Sequence, residues 1–301
     1  MKNANSIRLT SVYGPSSDSF LEGPAVVGDR LYFSNLFAKK ILTARIEGNA
    51  LAHVQTFFTS TSPCNGLAVV PERDELIACV MGEATQSSKR ELMEVDLKTG
   101  ISRTLVSKTS KGKQINAPND VAVDETGRIY FTDPDIPLPV GLNWKFKSAE
   151  TGVYSLRHGE QRAELVHSFC KPNGIGVAGN KLFVVASGRN ARLWKFELVG
   201  KDGSLKHLDD VSLGTNSGDG LALCPSRDIV LVAASKKLLC FRMSDFSRLG
   251  SGISMPDWRY KPSNVCFLDD KRFFVTANRP RLGYAGFVSR KGNGKIYFGQ
   301  L

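Results

Sequence analysis

The chain has 301 residues and is 42% hydrophobic, enough to bury a large core in one domain or in two. Its 40 lysines and arginines exceed its 29 aspartates and glutamates, giving a formal charge of +11, but these residues are scattered along the chain. We therefore read the charge as favouring solubility, and we expect neither a nucleic-acid nor a membrane partner.

Neither the first residues of the sequence nor its cysteines point to secretion. The first residues lack the apolar core of a signal peptide, and no run approaches the ~18 apolar residues of a membrane span. The six cysteines form no CxxC pair, so buried thiols are favoured over disulfides. These features predict a cytoplasmic protein. We expect its partner to be a small-molecule substrate and the protein to be a monomer or a weak homo-oligomer.

Short β-branched and aromatic runs separated by turn residues dominate the sequence, which indicates strands and hairpins. Six segments repeat one pattern: a polar residue, a short apolar strand, a turn and a stronger apolar strand. The intervals between successive segments are 43 to 54 residues, each long enough for a four-stranded antiparallel sheet. The six segments begin at Glu22, Asn65, Asn119, Asn173, Asp219 and Asn264.

Further strands are predicted between the repeats. Four stretches are typical of third strands that lead into hairpins, namely 90–100, 152–159, 192–203 and 237–243. Residues 294–301 and 6–14 are expected to supply the third and fourth strands of the last sheet and so close a ring. The sequence thus predicts an all-β, six-bladed β-propeller formed by one domain, residues 1–301. A β-sandwich is the main rival, but it does not require six similar units.

The repeated polar residue has a structural meaning in a propeller. The first strand of each blade lines the central channel, so the same position in every repeat comes to the same height around the axis. Buried oxygens gathered in this way need partners, and two carboxylates, Glu22 and Asp219, need positive charge between them. Because the set contains no His or Cys, it favours a hard divalent cation, with Ca²⁺ first and then Mg²⁺ or Mn²⁺. The alternative for each single repeat is ordinary turn chemistry.

Four motifs resemble those of the SMP-30/gluconolactonase/luciferin-regenerating-enzyme-like hydrolases, and they occur in the same order along nearly the whole chain. They are "LEGPAVVGDRLYFSN", "APNDVAVDETGRIYFTDP", "KPNGIGV" and "GDGLAL". The resemblance implies a six-bladed propeller with one catalytic divalent cation, Ca²⁺ first, with Mg²⁺, Mn²⁺, Zn²⁺ or Fe²⁺ as other choices. It places the metal ligands at Glu22, Asn119, Asn173 and Asp219 and the general base at Asp219.

The resemblance also implies roles around the metal. Asn65 and Asn264 would face the substrate or bound waters, and Asp120 would orient the ligands without contacting the metal, unless it is simply a turn residue. Trp144, in the long connection 134–150, is expected to contact the substrate. A second long connection, 278–287, is a further candidate for substrate contact.

Two departures concern the substrate. Many family members have an aromatic residue where this chain has Ala25, and sugar lactonases often have Arg where it has Ala117. A second metal, present in phosphotriesterase-type relatives, is not expected, because its positions are Ala222 and Cys266. The aromatic and apolar content of the two long connections suggests a substrate less polar than a free sugar.

The predicted activity is opening of a lactone ring, with Asp219 acting as base or as nucleophile. Three alternatives remain: phosphotriester hydrolysis, a non-hydrolytic biosynthetic reaction like that of strictosidine-synthase-like propellers, and a binding propeller without catalysis. Other signals are weaker. No GxSxG or dinucleotide motif occurs, and His53, His158, His167 and His207 lack ligand spacing, so these histidines are interpreted as structural or solvated.

Overall fold

The computed structural model describes residues 7–14, 19–82, 89–135, 149–200, 202–279 and 293–301. These residues form six four-stranded antiparallel sheets arranged in a ring, which confirms the six-bladed β-propeller. Two short 3₁₀ turns, Pro71–Arg73 and Pro225–Arg227, each lie between the first and second strands of a sheet. The described residues contain no helix with the length and apolar character needed to span a bilayer.

Each of the first three blades is a meander of consecutive strands. Blade 1 contains β2 Leu21–Val27, β3 Arg30–Asn35, β4 Lys40–Glu47 and β5 Ala50–Thr59. Blade 2 contains β6 Cys64–Val70, β7 Glu75–Val80, β8 Glu91–Asp96 and β9 Ser102–Val106. Blade 3 contains β10 Val121–Val123, β11 Arg128–Asp133, β12 Gly152–Arg157 and β13 Glu164–Ser168.

Blades 4 and 5 repeat this arrangement, and blade 6 combines both ends of the chain. Blade 4 contains β14 Pro172–Ala178, β15 Lys181–Ala186, β16 Arg192–Val199 and β17 Ser204–Ser212. Blade 5 contains β18 Leu221–Cys224, β19 Ile229–Ala234, β20 Lys237–Arg242 and β21 Ile253–Ser254. Blade 6 contains β22 Lys261–Phe267, β23 Arg272–Arg279, β24 Asn293–Gln300 and β1 Thr10–Tyr13.

The ring is closed by hydrogen bonding between the two ends of the chain. Strand β1 pairs antiparallel with β24, with Thr10 opposite Phe298 and Ser11 opposite Tyr297. The sequence places 6–14 and 294–301 in these two roles, and the structure confirms both. Because an edge strand from one terminus completes a sheet made by the other, the propeller cannot open without breaking this ladder.

The hydrophobic core lies between blades. Strand β19 is buried along its whole length, and its residues alternate between two clusters. Ile229, Leu231 and Ala233 pack against blade 6, whereas Val230, Val232 and Ala234 pack against blade 4. Since both faces of the sheet are covered, both faces must be apolar, which explains why this strand is a continuous apolar run in the sequence.

The six cysteines are all free thiols. Four of them are buried and Cys266 is half-buried, in agreement with the prediction, whereas Cys170 is exposed. Burial raises the pKa of the Cys266 thiol to about 12, so this group stays protonated at neutral pH.

Candidate metal centre on the propeller axis

Backbone hydrogen bonds define equivalent positions at the start of the first strands. In blade 3, the Asn119 N–H donates to the Thr132 carbonyl at 2.8 Å, and the Thr132 N–H donates to the Asp120 carbonyl at 2.9 Å. In blade 5, Asp219 and Gly220 make the same two bonds with Ala233, at 2.8 and 2.9 Å. Asn119 and Asp219 therefore occupy one position, and Asp120 and Gly220 occupy the next.

Bonds between neighbouring blades extend this alignment around the ring. The N–H groups of Gly66, Gly174 and Gly220 donate to the carbonyls of the next blade at 2.8, 3.1 and 2.8 Å. The acceptors are the carbonyls of Asn119, Asp219 and Ser263. We call the first position of each pair the ring position, occupied by Glu22, Asn65, Asn119, Asn173, Asp219 and Ser263. We call the second the inner position, occupied by Gly23, Gly66, Asp120, Gly174, Gly220 and Asn264.

This alignment corrects the sixth repeat by one residue. The sequence places Asn264 with Asn119 and Asp219, but Ser263 holds that position in the structure. The backbone of Asn264 behaves like that of Asp120 instead: the two N–H groups donate to Thr276 Oγ1 and Thr132 Oγ1, both at 3.1 Å. The error arises because Asn264, like Asn119 and Asn173, is an asparagine directly before an apolar run, so the sequence pattern of the two positions is the same.

Glycine at the inner position makes room for the two inner side chains. A Cβ on Gly66 would lie 2.3 Å from Asp120 Oδ1, and one on Gly220 would lie 2.1 Å from Asn264 Cγ. The Asn264 amide Nδ2 lies 3.4 Å from Asp120 Oδ2, so blades 3 and 6 touch across the axis. Side chains at these two inner positions therefore occupy the space that the glycines leave open.

Three carboxyl groups, from Glu22, Asp120 and Asp219, meet at this end of the channel. Burial, followed by the charges of Asp219 and Asp120, raises the pKa of Glu22 well above its ordinary value. Burial also raises the pKa of Asp120 to about 7, against a hydrogen bond from Asn264 that lowers it. The pKa of Asp219 is likewise raised to about 7 by burial and the charge of Asp120, although the Asn173 side chain donates to its carboxylate.

The negative charges of these three carboxyls are not balanced by ion pairs with lysine, arginine or histidine side chains of the described residues. The ion pairs of the described residues include none of these three carboxyls. Ionised carboxylates buried together repel one another and are costly to desolvate. A divalent cation would balance two of them, and carboxylate and amide oxygens are ligands that hard cations prefer. The donor set therefore fits the predicted metal.

The other predicted site residues differ in how the structure describes them. Asn65 is buried and Asn119 is half-buried, and both join the ring through their carbonyls, which accept from Ser34 Oγ at 2.7 Å and from the Gly66 N–H at 2.8 Å. Asn264, predicted to face the substrate, directs its amide towards Asp120. Trp144 lies outside the described residues, as do 136–148 of the first long connection and 280–287 of the second.

One supporting residue has no predicted role. Asp133, at the end of β11, accepts from the Asn116 N–H at 2.8 Å and from the Ala117 N–H at 2.7 Å. It thereby fixes the turn that leads into Asn119, and its pKa is raised to about 7, chiefly by burial. The sequence does contain a signal for Asp133, since it is the Asp of "FTDP" in the motif that carries the family resemblance, but the motif does not indicate what this residue does.

A second group with metal-ligand chemistry lies between blades 2 and 3. The ligand atoms of Glu75, Glu94 and His158 lie within 4.8 Å of one another, although the sequence spacing of His158 suggests no such cluster. Arg103 already supplies a positive charge here: its Nε donates to Glu94 Oε2 at 2.7 Å, and its Nη2 lies 3.6 Å from Glu75 Oε1. We therefore interpret this group as an ion-pair network that joins the two blades.

The network gives a testable pH dependence. Burial and the neighbouring Glu94 raise the pKa of Glu75 from 4.5 to about 7. The folded protein thus keeps a proton on Glu75 that the unfolded chain loses above pH ~4.5. The contribution of Glu75 to the free energy of unfolding is fully present below that pH and is lost as the pH rises through ~7. Glu75→Gln should raise the free energy of unfolding by about 1–2 kcal/mol at pH 8, with little change at pH 5. Urea titrations of this variant at both pH values measure the effect.

The control for this experiment is Glu72→Gln, which changes an exposed glutamate beside the same strand. It should alter stability by less than ~0.5 kcal/mol at either pH. If Glu75→Gln destabilises the protein at pH 8, or has the same effect at both pH values, the raised pKa of Glu75 is refuted.

Comparisons with known proteins relate this arrangement to one family. Residues 20–279 match the family described as the SMP-30/gluconolactonase/LRE-like region. A gluconolactonase from Zymomonas mobilis subsp. mobilis is 32% identical over 139 residues. That match covers 44% of this chain and only 36% of the relative.

Solved structures share the fold. A gluconolactonase from Xanthomonas campestris superposes with a TM-score of 0.72 at 22% identity, covering 98% of this chain and 91% of that one. A calcium-binding protein, regucalcin, from Agrobacterium tumefaciens superposes with a TM-score of 0.68 at 13% identity, covering 98% and 97% of the two chains. At these identities the likeness extends to the architecture alone.

Proposed function

Because the chain belongs to the SMP-30/gluconolactonase/LRE-like family, we propose that it is a metal-dependent hydrolase that opens lactones. The observation that carries the proposal is the meeting of Glu22, Asp120 and Asp219 at one end of the channel, where two buried residues and one half-buried residue have carboxyls with raised pKa values. The likeness to gluconolactonases and to a calcium-binding protein supports both the reaction class and Ca²⁺ as the first choice of metal.

Glu22, Asn119, Asn173 and Asp219 would hold the cation. When bound, such a cation polarises an ester carbonyl and makes water more acidic. The two carboxylates of the set balance a charge of 2+, while the two amides contribute neutral oxygens. Asp120, on the inner position next to Asn119, would stabilise the site from outside the ligand set, because its carboxyl is held by Asn264 and by the Val121 N–H at 3.0 Å.

Asp219 is the proposed catalytic residue. Its carboxylate can accept a proton from a water molecule that the bound cation makes more acidic. The neighbouring Asn173 side chain favours the ionised form of that carboxylate, since it lowers the pKa of Asp219 against the effect of burial. Asp219 would take a proton from the attacking water and give it to the ring oxygen, which leaves as an alcohol. Alternatively, the Asp219 carboxylate would attack the carbonyl to form a mixed anhydride, the ring oxygen would leave and take a proton from water, and a second water would hydrolyse the anhydride to release the hydroxy acid and free Asp219.

Substrate recognition is assigned to Asn65 and Trp144, whereas the amide of Asn264 is engaged by Asp120 and by the Val265 N–H. A substrate less polar than a free sugar fits the small, apolar Ala117, whose side chain cannot hydrogen-bond to hydroxyls and whose N–H is already held by Asp133. We therefore expect aliphatic or aryl-substituted lactones to be better substrates than gluconolactone.

A hydrolysis panel tests this function. Purified protein would be treated with chelator, supplied with Ca²⁺, Mg²⁺, Mn²⁺ or Zn²⁺, and assayed by a pH indicator on sugar lactones, aliphatic lactones, aryl esters and phosphotriesters. The expected result is lactone opening that chelator abolishes and a divalent cation restores. Turnover of phosphotriesters without turnover of any lactone, or activity insensitive to chelator, would contradict the proposal.

A further inference from the structure

The junction between blades 6 and 1 is held by one buried amide. Asn278, in β23, accepts from the Leu21 N–H through Oδ1 and donates to the Leu21 carbonyl through Nδ2, both at 2.8 Å. These residues are 257 positions apart in the sequence, and Leu21 directly precedes Glu22. Asn278 thus fixes both backbone groups of the residue next to the ring-position carboxylate.

The same amide also holds a hydroxyl. Asn278 Nδ2 lies 3.0 Å from Ser263 Oγ, so its second proton is donated there. Ser263 is 3% exposed and occupies the ring position of blade 6, beside Glu22 of blade 1. The bond runs from β23 of blade 6 to the first strand of the same blade and therefore orients the Ser263 hydroxyl towards the junction.

The Ser263 hydroxyl holds the same backbone carbonyl. Its oxygen lies 2.9 Å from the Leu21 carbonyl oxygen, 3.3 Å from the Thr276 carbonyl oxygen and 3.1 Å from Thr276 Oγ1. Because the Leu21 carbonyl is the nearest of these acceptors, the single Ser263 proton is donated there. The Leu21 carbonyl thereby accepts from both Asn278 and Ser263, two hydrogen bonds from blade 6.

We propose that Ser263 and Asn278 are positioning residues that fix the backbone beside Glu22 and so place its carboxylate for binding a divalent cation. This inference rests on the metal site of the proposed function and adds two residues to it that are not ligands. Asn278 holds both backbone groups of Leu21, and Ser263 holds the Leu21 carbonyl, so the backbone that leads into Glu22 is fixed by blade 6. The site is therefore completed only when blade 6 has closed against blade 1.

A second inter-blade hydroxyl provides a matched comparison. Ser34 is also fully buried, and its Oγ donates to the Asn65 carbonyl of the next blade at 2.7 Å. Both serines donate to backbone of the next blade, but Ser263 holds Leu21, the residue before the proposed ligand Glu22, whereas Ser34 holds Asn65, which is outside the ligand set. Ser263→Ala and Ser34→Ala thus remove the same atom from equally buried blade junctions, but only the first removes a contact with the backbone that leads into a ligand.

The test is the affinity of the metal-free protein for Ca²⁺, measured by titration calorimetry. Ser263→Ala should raise the dissociation constant for Ca²⁺ about tenfold, as expected for loss of a group that orients a ligand, whereas Ser34→Ala should stay within about twofold of the wild type. Both variants should lower the metal-free melting temperature by similar amounts. A purely structural role of Ser263 would change the melting temperature and leave the affinity like that of Ser34→Ala.

A second pair of variants examines Asn278. Asn278→Asp keeps the acceptor for the Leu21 N–H and removes both donated bonds. Asn35→Asp makes the same change at another buried amide, at the end of β3 in blade 1, whose oxygen accepts from the Phe20 N–H at 3.3 Å. The added charge is common to both, so a weaker Ca²⁺ affinity for Asn278→Asp than for Asn35→Asp is expected to report the lost donors.

The outcomes separate the two proposals. If the wild type binds Ca²⁺ and Ser263→Ala and Asn278→Asp bind it as tightly as their controls, the positioning role is overturned and the metal site stands. If the wild type binds neither Ca²⁺ nor Mn²⁺, the metal site and the positioning role are both overturned.

Discussion

Asp219→Asn is expected to reduce lactone hydrolysis by about a thousandfold while leaving the propeller folded. Asparagine keeps the shape of the side chain and an oxygen, but it can neither accept a proton at neutral pH nor attack a carbonyl. The change also removes one of the two negative charges proposed to balance the cation. Steady-state kinetics on the best substrate of the panel, with saturating metal, measure the loss.

The stability of the same variant provides an independent readout. Since burial raises the pKa of Asp219 to about 7, its ionised form costs stability at pH 8 in the absence of metal. Metal-free Asp219→Asn should therefore melt at a higher temperature than the wild type at that pH. Asp29→Asn, which alters an exposed aspartate, should change neither activity nor melting temperature. Near-normal turnover by Asp219→Asn would refute the proposed role.

Calcium is expected to stabilise the protein more at pH 8 than at pH 5. The raised pKa values of Glu22, Asp120 and Asp219 mean that the folded, metal-free protein holds protons that the unfolded chain has already released. Its stability therefore falls as the pH rises through ~7. A cation reverses the sign, because it binds the ionised carboxylates and must displace those protons.

The size of the metal effect follows from mass action. At a free concentration one hundred times the dissociation constant, Ca²⁺ should add about 2.7 kcal/mol, which corresponds to about 5 °C in melting temperature for a chain of this size. Scans with and without Ca²⁺ at both pH values measure it. Glu22→Gln should lose most of the stabilisation, whereas Glu47→Gln, at an exposed position, should keep it. Equal stabilisation at pH 5 and pH 8, or in Glu22→Gln, would contradict the account.

The fold can be predicted from the sequence because each blade must bury both of its faces. Strand β19 illustrates this: a run of six apolar residues alternates between the cores shared with blades 4 and 6. Such runs recur at the spacing of a four-stranded sheet, so counting them yields six blades. The pairing of β1 with β24 could also be predicted, because the last repeat supplies only three strands and the residues before the first repeat supply the fourth.

The local sequence pattern predicts the positions of the site residues only to within one residue. Ser263 and Asn264 are adjacent, and "NV" resembles the "NG" and "ND" of other repeats, so the sequence favoured the wrong member of the pair. The distinction depends on the Gly220 N–H, which donates to the Ser263 carbonyl of the neighbouring blade. That hydrogen bond joins residues of two blades, so neither the local sequence pattern nor strand propensity can predict it.

Long-range partners were missed for the same reason. Asn278 contacts Leu21 from 257 residues away, and His158 meets Glu94 across a blade interface from 64 residues away. Neither contact has a sequence spacing to recognise, because both arise from the order of blades around the axis. The family resemblance, by contrast, was confirmed by the match over residues 20–279.

A crystal structure of protein grown with Mn²⁺, with anomalous diffraction recorded near the manganese edge, tests the central claim most directly. We predict one anomalous peak on the axis, within ~2.4 Å of oxygens of Glu22, Asn119, Asn173 and Asp219. An axis without such a peak, with these side chains bound to other protein groups, or a peak found solely at Glu75, Glu94 and His158, would contradict it.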